Sequence, residues 1–205
     1  MAARPSLRRS ELLDDPIRQF AEWFERAESH PLIAHPEAAC LSTLGPGGTP
    51  EGRMVLIKRF DARGFVFYTN LGSAKARALA AHPRAELTLY WQPLGRQVRL
   101  RGPVAPTSEA DADAYFATRS RASRIGAWAS EQSREVDGRV ALERRASDFE
   151  RQFDGATVPR PPHWSGFRLE PEAVEFWQEG PARLHDRFLY LRVGGGEWAL
   201  RRLYP

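Results

Sequence analysis

GRMVLIKRFDARGFVFYTN, residues 52–70, is the stretch whose reading decides the fold. Two short apolar runs, MVLI and FVFY, stand on either side of DARG, and Asp and Gly there are turn chemistry. The runs are rich in β-branched and aromatic residues, which fit a pleated, half-buried surface. Two strands joined tightly make an antiparallel hairpin.

Working outward, the same grammar repeats. AACLSTL (38–44), AELTLYWQ (85–92) and RQVRLRGPV (96–104) are apolar or alternating runs, separated by GPGGTP (45–50), a short helix and PLGR (93–96). Near the end, GFRLEP (166–171), AVEFWQ (173–178), DRFLYLRV (186–193) and EWALRRL (197–203) return to strands. GPGG is a turn, since neither GxGxxG nor a Walker pattern occurs. Helices fall between. In DDPIRQFAEWFERA (14–27) Asp15 is an N-cap, Pro16 opens the helix, and Ile17, Phe20, Phe24 and Ala27 form one stripe. SAKARALAAH (73–82) starts at Ser73. A helical region spans about Thr107 to Ser130, and DGRVALERRASDFERQF (137–153) is ended by TVPRPPHW. The expected architecture is α+β, mainly β: a bent antiparallel sheet closing toward a barrel, with flanking helices. Residues 1–13 are expected as a flexible arm, and 14–205 as a single domain.

Composition narrows the function. The 205 residues are 42% hydrophobic, enough for a sizeable core. Thirty Lys and Arg are interspersed with 26 Asp and Glu, giving a net charge of +4 without a basic tail, so nucleic acid is not expected as a partner. No apolar run reaches membrane-span length and no signal peptide is read, so the expectation is a cytoplasmic protein without membrane contact. Cys40 is the single cysteine and is read as a buried thiol. The histidines lack ligand spacing, so no metal is expected.

Several segments carry charge where strands enter a core. In RLHDR (183–187), an extended chain would put Arg183, His185 and Arg187 on one face and Leu184, Asp186 and Phe188 on the other. Such a face calls for an anion or for solvent. Arg53 and Lys58 bracket apolar residues and lie roughly 16 Å apart along a strand, the scale of a long phosphorylated cofactor; a plain strand with charged ends is the competing reading. Tyr68, Thr69 and Lys75 surround the start of a helix, where free N–H groups favour phosphate. Tyr115, Arg119 and Ser123, four apart, would form one stripe on a helix, suited to phosphate or to water.

RMVLIK, FYTNLGSAK, RQV, YFATRSRASRIGAW, SEQS, FWQ and RLHDR together resemble, in order and spacing, the pyridoxine/pyridoxamine 5′-phosphate oxidases over about residues 14–205. RLHDRFLY is the most specific piece. The resemblance implies an FMN-binding split β-barrel and a homodimer with the flavin at the interface. It also implies oxidation of pyridoxine or pyridoxamine 5′-phosphate to pyridoxal 5′-phosphate, with hydride passing from the substrate C4′ to flavin N5 and O2 reduced to H2O2. By that likeness the flavin is held by Arg53, Met54, Val55, Leu56, Ile57, Lys58, Tyr68, Thr69, Lys75, Gln97, Gln132, Ser133, Trp177 and Arg187. Lys58, Tyr115, Arg119 and Ser123 would hold the substrate phosphate. Arg183, Leu184 and His185 would close over the ring, Arg183 and His185 beside the reacting carbon. Ala74 stands where many members have arginine, and the N-terminal segment is short. A phenazine-type flavin oxidase and a non-catalytic flavin or pyridoxal phosphate carrier are the alternatives.

Overall fold

The computed structural model describes residues 6–205. The opening stretch forms the hairpin: β2 (Pro50–Asp61) and β3 (Gly64–Asn70) pair antiparallel through Phe60↔Phe65 and Asp61↔Gly64. The register slips between Ile57 and Arg59, so Lys58 occupies a bulge, an irregularity that re-aims a side chain out of the ladder. The other strands are β1 (Ala38–Leu44), β4 (Arg84–Trp91), β5 (Arg96–Pro106), β6 (Trp164–Leu169), β7 (Ala173–Gln178), β8 (Asp186–Arg192) and β9 (Trp198–Leu203).

Their order is β4-β1-β2-β3-β6-β5, and β4 also pairs with β5, which closes a six-stranded antiparallel barrel. β7, β8 and β9 continue the sheet outward from β5. Strand β5 makes this split possible. One edge lies along β4, while the other pairs first with β7 (Arg96–Arg101) and then with β6 (Val104–Pro106). At the changeover sits Gly102, where a Cβ would collide with the Glu170 carbonyl, so the two sheets can part only around a residue without a side chain.

The barrel core contains Leu41, Leu87, Leu89, Leu100, Phe65 and Phe67, all essentially inaccessible. Helix α1 (Pro16–Glu28) covers it, with the Asp15 carboxylate accepting from the Ile17 N–H at 2.7 Å. Phe20 meets Phe60 and Phe65 edge-on at 4.9 and 4.8 Å. Burying one such ring contributes about 1.5–3 kcal/mol, which fixes the helix to the sheet. The remaining helices are α2 (Ala74–Ala81), α3 (Glu109–Thr118), α4 (Arg121–Ala129) and α5 (Gly138–Gln152). Among the described residues no helix is long and apolar enough to cross a membrane.

Four expectations are corrected. The arm is docked where it is described: Leu7 and Leu12 are buried, the Leu7 N–H donates to Asp186 at 2.9 Å, and the Tyr190 hydroxyl donates to the Leu13 carbonyl at 2.6 Å. Residues 1–5 of that expected arm lie outside the described residues. The region from Thr107 to Ser130 is two helices, broken at Arg119 because Ser120 caps α4 through the Ser123 N–H. RLHDR is extended only from Asp186 onward; Pro181–Arg183 is a 3-10 turn, with Ala182 and Arg183 at positive φ. Cys40 is half-buried, since alternation along β1 turns Ala39 and Leu41 inward and Cys40 outward.

Candidate functional site

Met54 and Leu56 point outward from β2, because the alternation that puts Val55 and Ile57 against the barrel must present their neighbours on the other face. Next to that face, β3, the break between α3 and α4, and the loop after α4 enclose a cleft of about 450 Å³. It is lined by Met54, Val55, Leu56, Lys58, Tyr68, Thr69, Lys75, Tyr115, Arg119, Ser123 and Gln132, all singled out in the sequence. It also takes in Asn70, Gly126, Ala127, Ser130 and Trp164, which sequence reasoning missed. Trp164 opens β6 directly after a proline-rich run, and nothing in that local pattern points to a site.

The cleft is cationic at two ends. At one, Lys75 Nζ donates to Gln132 Oε1 at 2.8 Å and Thr69 Oγ1 at 3.2 Å, and among the described residues no carboxylate pairs with it. Burial, and secondarily the charge of Arg53, holds its ammonium below the usual lysine value. Arg53 itself is paired with Glu51 and donates to Thr43. Two neighbouring cations, one unpaired, are a setting that an anion relieves. Ser133 accepts from the Ala74 N–H at 3.1 Å and Ser73 from that of Ala76 at 3.3 Å. Two first-turn donors of α2 are therefore already engaged, and fewer bare N–H groups face the cleft than the sequence suggests.

At the other end stand Tyr115, Arg119 and Ser123. The helix break brings them together rather than a continuous stripe: Arg119 has extended backbone at the end of α3, and Ser123 lies in the first turn of α4. Burial pushes the Tyr115 phenol up and the Arg119 guanidinium down from their usual values. Arg119 Nη1 is buried with no hydrogen-bond partner. Lys58 reaches toward the cleft from its bulge and touches Glu37 at 3.4 Å.

The remaining candidates lie elsewhere on the chain. Ile57 has its side chain in the barrel core and donates its N–H to the Glu37 carbonyl, so neither group is presented to the cleft. Gln97, Trp177 and Arg187 are cross-strand neighbours in one row over β5, β7 and β8. Arg187 donates to Glu175 at 2.8 Å, and the His185 ring lies 4.6 Å from that of Trp177. His185 Nδ1 accepts from the Gly180 N–H at 3.2 Å, which in the neutral ring leaves the proton on Nε2. Leu184 and His185 line a second cleft of about 480 Å³ with the C-terminal residues Arg202 to Pro205. Arg183 is exposed at the turn. None of Gln97, Trp177, Arg183, Leu184, His185 and Arg187 lines the first cleft. One chain therefore carries two separate clusters.

Cleft size and donor set fit a flavin mononucleotide. Unpaired Lys75 with Arg53 suits one phosphate, the apolar outer face of β2 suits a ring, and orphaned Arg119 suits a second phosphate.

Comparison with known proteins agrees. The family profile described as pyridoxamine 5′-phosphate oxidase matches residues 26–153. That described as the pyridoxine 5′-phosphate oxidase C-terminal dimerisation region matches residues 164–205. A pyridoxine/pyridoxamine 5′-phosphate oxidase of Rubrobacter xylanophilus is 54% identical over 93% of this chain and 87% of its own. One of Caulobacter vibrioides is 52% identical over 94% and 86%. Among solved structures, PhzG from Burkholderia lata, in complex with tetrahydrophenazine-1-carboxylic acid, superposes with a TM-score of 0.91 at 31% identity over the full length of both chains. A pyridoxamine 5′-phosphate oxidase-related, FMN-binding protein from Nostoc punctiforme gives 0.72 at 22% identity over 91% of this chain and 95% of its own, a likeness of fold.

Proposed function

The chain belongs to the pyridoxine/pyridoxamine 5′-phosphate oxidase family, and from that premise we propose how its own residues divide the work. The protein is an FMN-dependent oxidase that converts pyridoxine or pyridoxamine 5′-phosphate to pyridoxal 5′-phosphate. When bound, the flavin supplies the two-electron acceptor and passes the electrons to O2.

Lys75, with Arg53 behind it, holds the flavin phosphate, and Thr69 and Gln132 orient the Lys75 ammonium by accepting from it. Met54 and Leu56 give the ring an apolar floor that excludes water from one side. Arg119, Tyr115, Ser123 and Lys58 grip the substrate phosphate. Each charge-assisted contact of that kind is worth about 1.5–3 kcal/mol, and together they fix the pyridine ring so that its 4′ carbon faces the flavin. The observation that carries this assignment is the half-buried Arg119, whose Nη1 is buried without a hydrogen bond and which pairs with no carboxylate among the described residues, placed beside a phenol and a serine.

The second cluster completes the site of another copy. Trp177, Arg187, His185, Leu184 and Arg183 lie in the segment that matches the dimerisation region, and on one chain they line no part of the first cleft. A homodimer that brings the row Gln97–Trp177–Arg187 of one copy to the cleft of the other gives the flavin its remaining contacts. Arg183 and His185 then cover the substrate, Arg183 steering the 4′ oxygen or nitrogen and His185 orienting it through Nε2–H.

The test is anaerobic. Purified holoprotein, mixed with pyridoxine 5′-phosphate without oxygen, loses its yellow flavin absorbance and regains it on admission of air. Retained colour at full flavin occupancy would remove the oxidase reading and leave a carrier. Bleaching by a reduced phenazine precursor but not by the B6 phosphates would favour the phenazine reading instead.

A further inference from the structure

Half-buried arginines in this chain are, as a rule, matched by acids. Arg99 pairs with Glu86 and Glu175, Arg160 with Glu109 and Asp113, and Arg168 with Asp61. Two arginines depart from that pattern: among the described residues neither Arg96 nor Arg119 forms an ion pair with a carboxylate, and each has a buried Nη1 without a hydrogen bond. Arg96 lies over the Trp23 ring at 4.3 Å, and Arg119 lines the cleft. The Arg119 guanidinium carbon lies 4.8 Å from the centre of the Trp164 ring and 5.5 Å from that of Phe116.

We propose that Trp164 is a positioning residue of the substrate-phosphate grip, its indole face standing where a carboxylate would otherwise neutralise Arg119. The physical distinction is what happens when a phosphate arrives. A carboxylate partner would compete with the phosphate and have to be displaced, whereas a ring quadrupole attracts the cation without consuming its N–H donors. The charge is thus held in place and left available. Trp164 is suited to this because it is rigid. It is 6% exposed, it opens β6 opposite Asn70, and its carbonyl accepts from Arg160 at 2.7 Å. Tyr68 lies parallel to it, with ring centres 5.3 Å apart and planes within 2°, and Tyr115 follows at 6.1 Å and 10°. One indole therefore touches both the phosphate end of the cleft and the strand that borders the flavin end.

The inference rests on Arg119 binding the substrate phosphate as proposed above, and the experiment separates the two. Trp164→Leu and Trp164→Phe holoproteins are compared with the parent for kcat, KM for pyridoxine 5′-phosphate, equilibrium Kd for pyridoxal 5′-phosphate, and flavin content. Trp164→Leu keeps apolar bulk without a π face. It is expected to raise KM and Kd about tenfold, equivalent to about 1.4 kcal/mol and within the span of a desolvated cation–π contact. Its kcat stays within about twofold and its flavin content is retained, a split that general misfolding would not give. Trp164→Phe, which restores a face, is expected to stay within about threefold of the parent. Equal losses in both variants, or unchanged KM and Kd in Trp164→Leu, overturn the inference. Should Trp164→Leu not fold, a double-mutant cycle of Trp164→Met, which has no π face, with Arg119→Gln, which has no charge, decides. Coupled effects on Kd support the inference and additive ones overturn it. A parent protein that never bleaches but binds pyridoxal 5′-phosphate in a Trp164-dependent way would sink the oxidase reading alone.

Discussion

Arg187 donates to Glu175 at 2.8 Å, and the same carboxylate accepts from Arg99 at 3.3 Å. Glu175 is 7% exposed, so removing its charge takes the carboxylate partner from the partly buried Arg187 and leaves Arg99 with Glu86 alone. Glu175→Gln is expected to lower unfolding stability by about 2 kcal/mol, discounted for the partial exposure of both arginines, and urea denaturation measures it. Because the same change frees Arg187 from its fixed position, flavin release should also quicken. Asp61 gives a pH signature. The hydrogen bond from Arg63 is the largest cause holding its carboxyl below the ordinary 3.8, and the charges of Arg168 and Arg63 add to it. A depressed carboxyl contributes stability that is complete above the unfolded value and is lost as pH falls through the folded one. Asp61→Asn should therefore lower Tm at pH 7, and its deficit against the parent should shrink as pH drops below 3.8; a deficit constant with pH would contradict this. At this scale the sequence is legible where chemistry is distinctive: Lys58, Tyr115, Arg119 and Ser123 all line the cleft. It is silent on Trp164, because a tryptophan after prolines looks like any other until its neighbours are known.

Elements were readable wherever local rules decide them. The Asp15 cap with Pro16, the Ser73 cap and the alternation in β1 and β2 need no tertiary information. Two of the failures have a common cause: a local cap or turn interrupts a period. Ser120 captures the Ser123 N–H and divides one expected helix into α3 and α4, while the turn at Pro181–Arg183 ends the alternation expected through RLHDR. That turn depends on Gly180, where a Cβ would collide with the Leu184 carbonyl. Gly180→Ala is expected to displace the Arg183–His185 segment and to cut kcat/KM at least about tenfold, while Tm falls by less than about 4 °C because the residue lies outside the barrel core. Steady-state kinetics alongside a melting curve check both parts. A full loss of folding would mean that the turn supports the barrel as well.

On the scale of the molecule, closure of β4 on β5 makes a barrel whose interior is filled by side chains, so ligands must bind on its outside. The cleft and the Gln97–Trp177–Arg187 row lie on different strands of that exterior and are separate in one chain. Sequence order could not reveal this, since the motifs follow one another as though they faced a single pocket. Their union in a homodimer is the central claim, and mixing two defective chains tests it most directly. Arg119→Ala damages the cleft and Arg187→Ala the row, and each homodimer should be nearly inactive. If one site takes its cleft from one copy and its row from the other, a mixed dimer holds one intact site and one doubly damaged site. Random reassortment of equal amounts should then restore about a quarter of the parent activity per chain. Activity that stays at the sum of the two defective parents, with mixed dimers demonstrably formed, would place both clusters in the same copy's site and contradict the account.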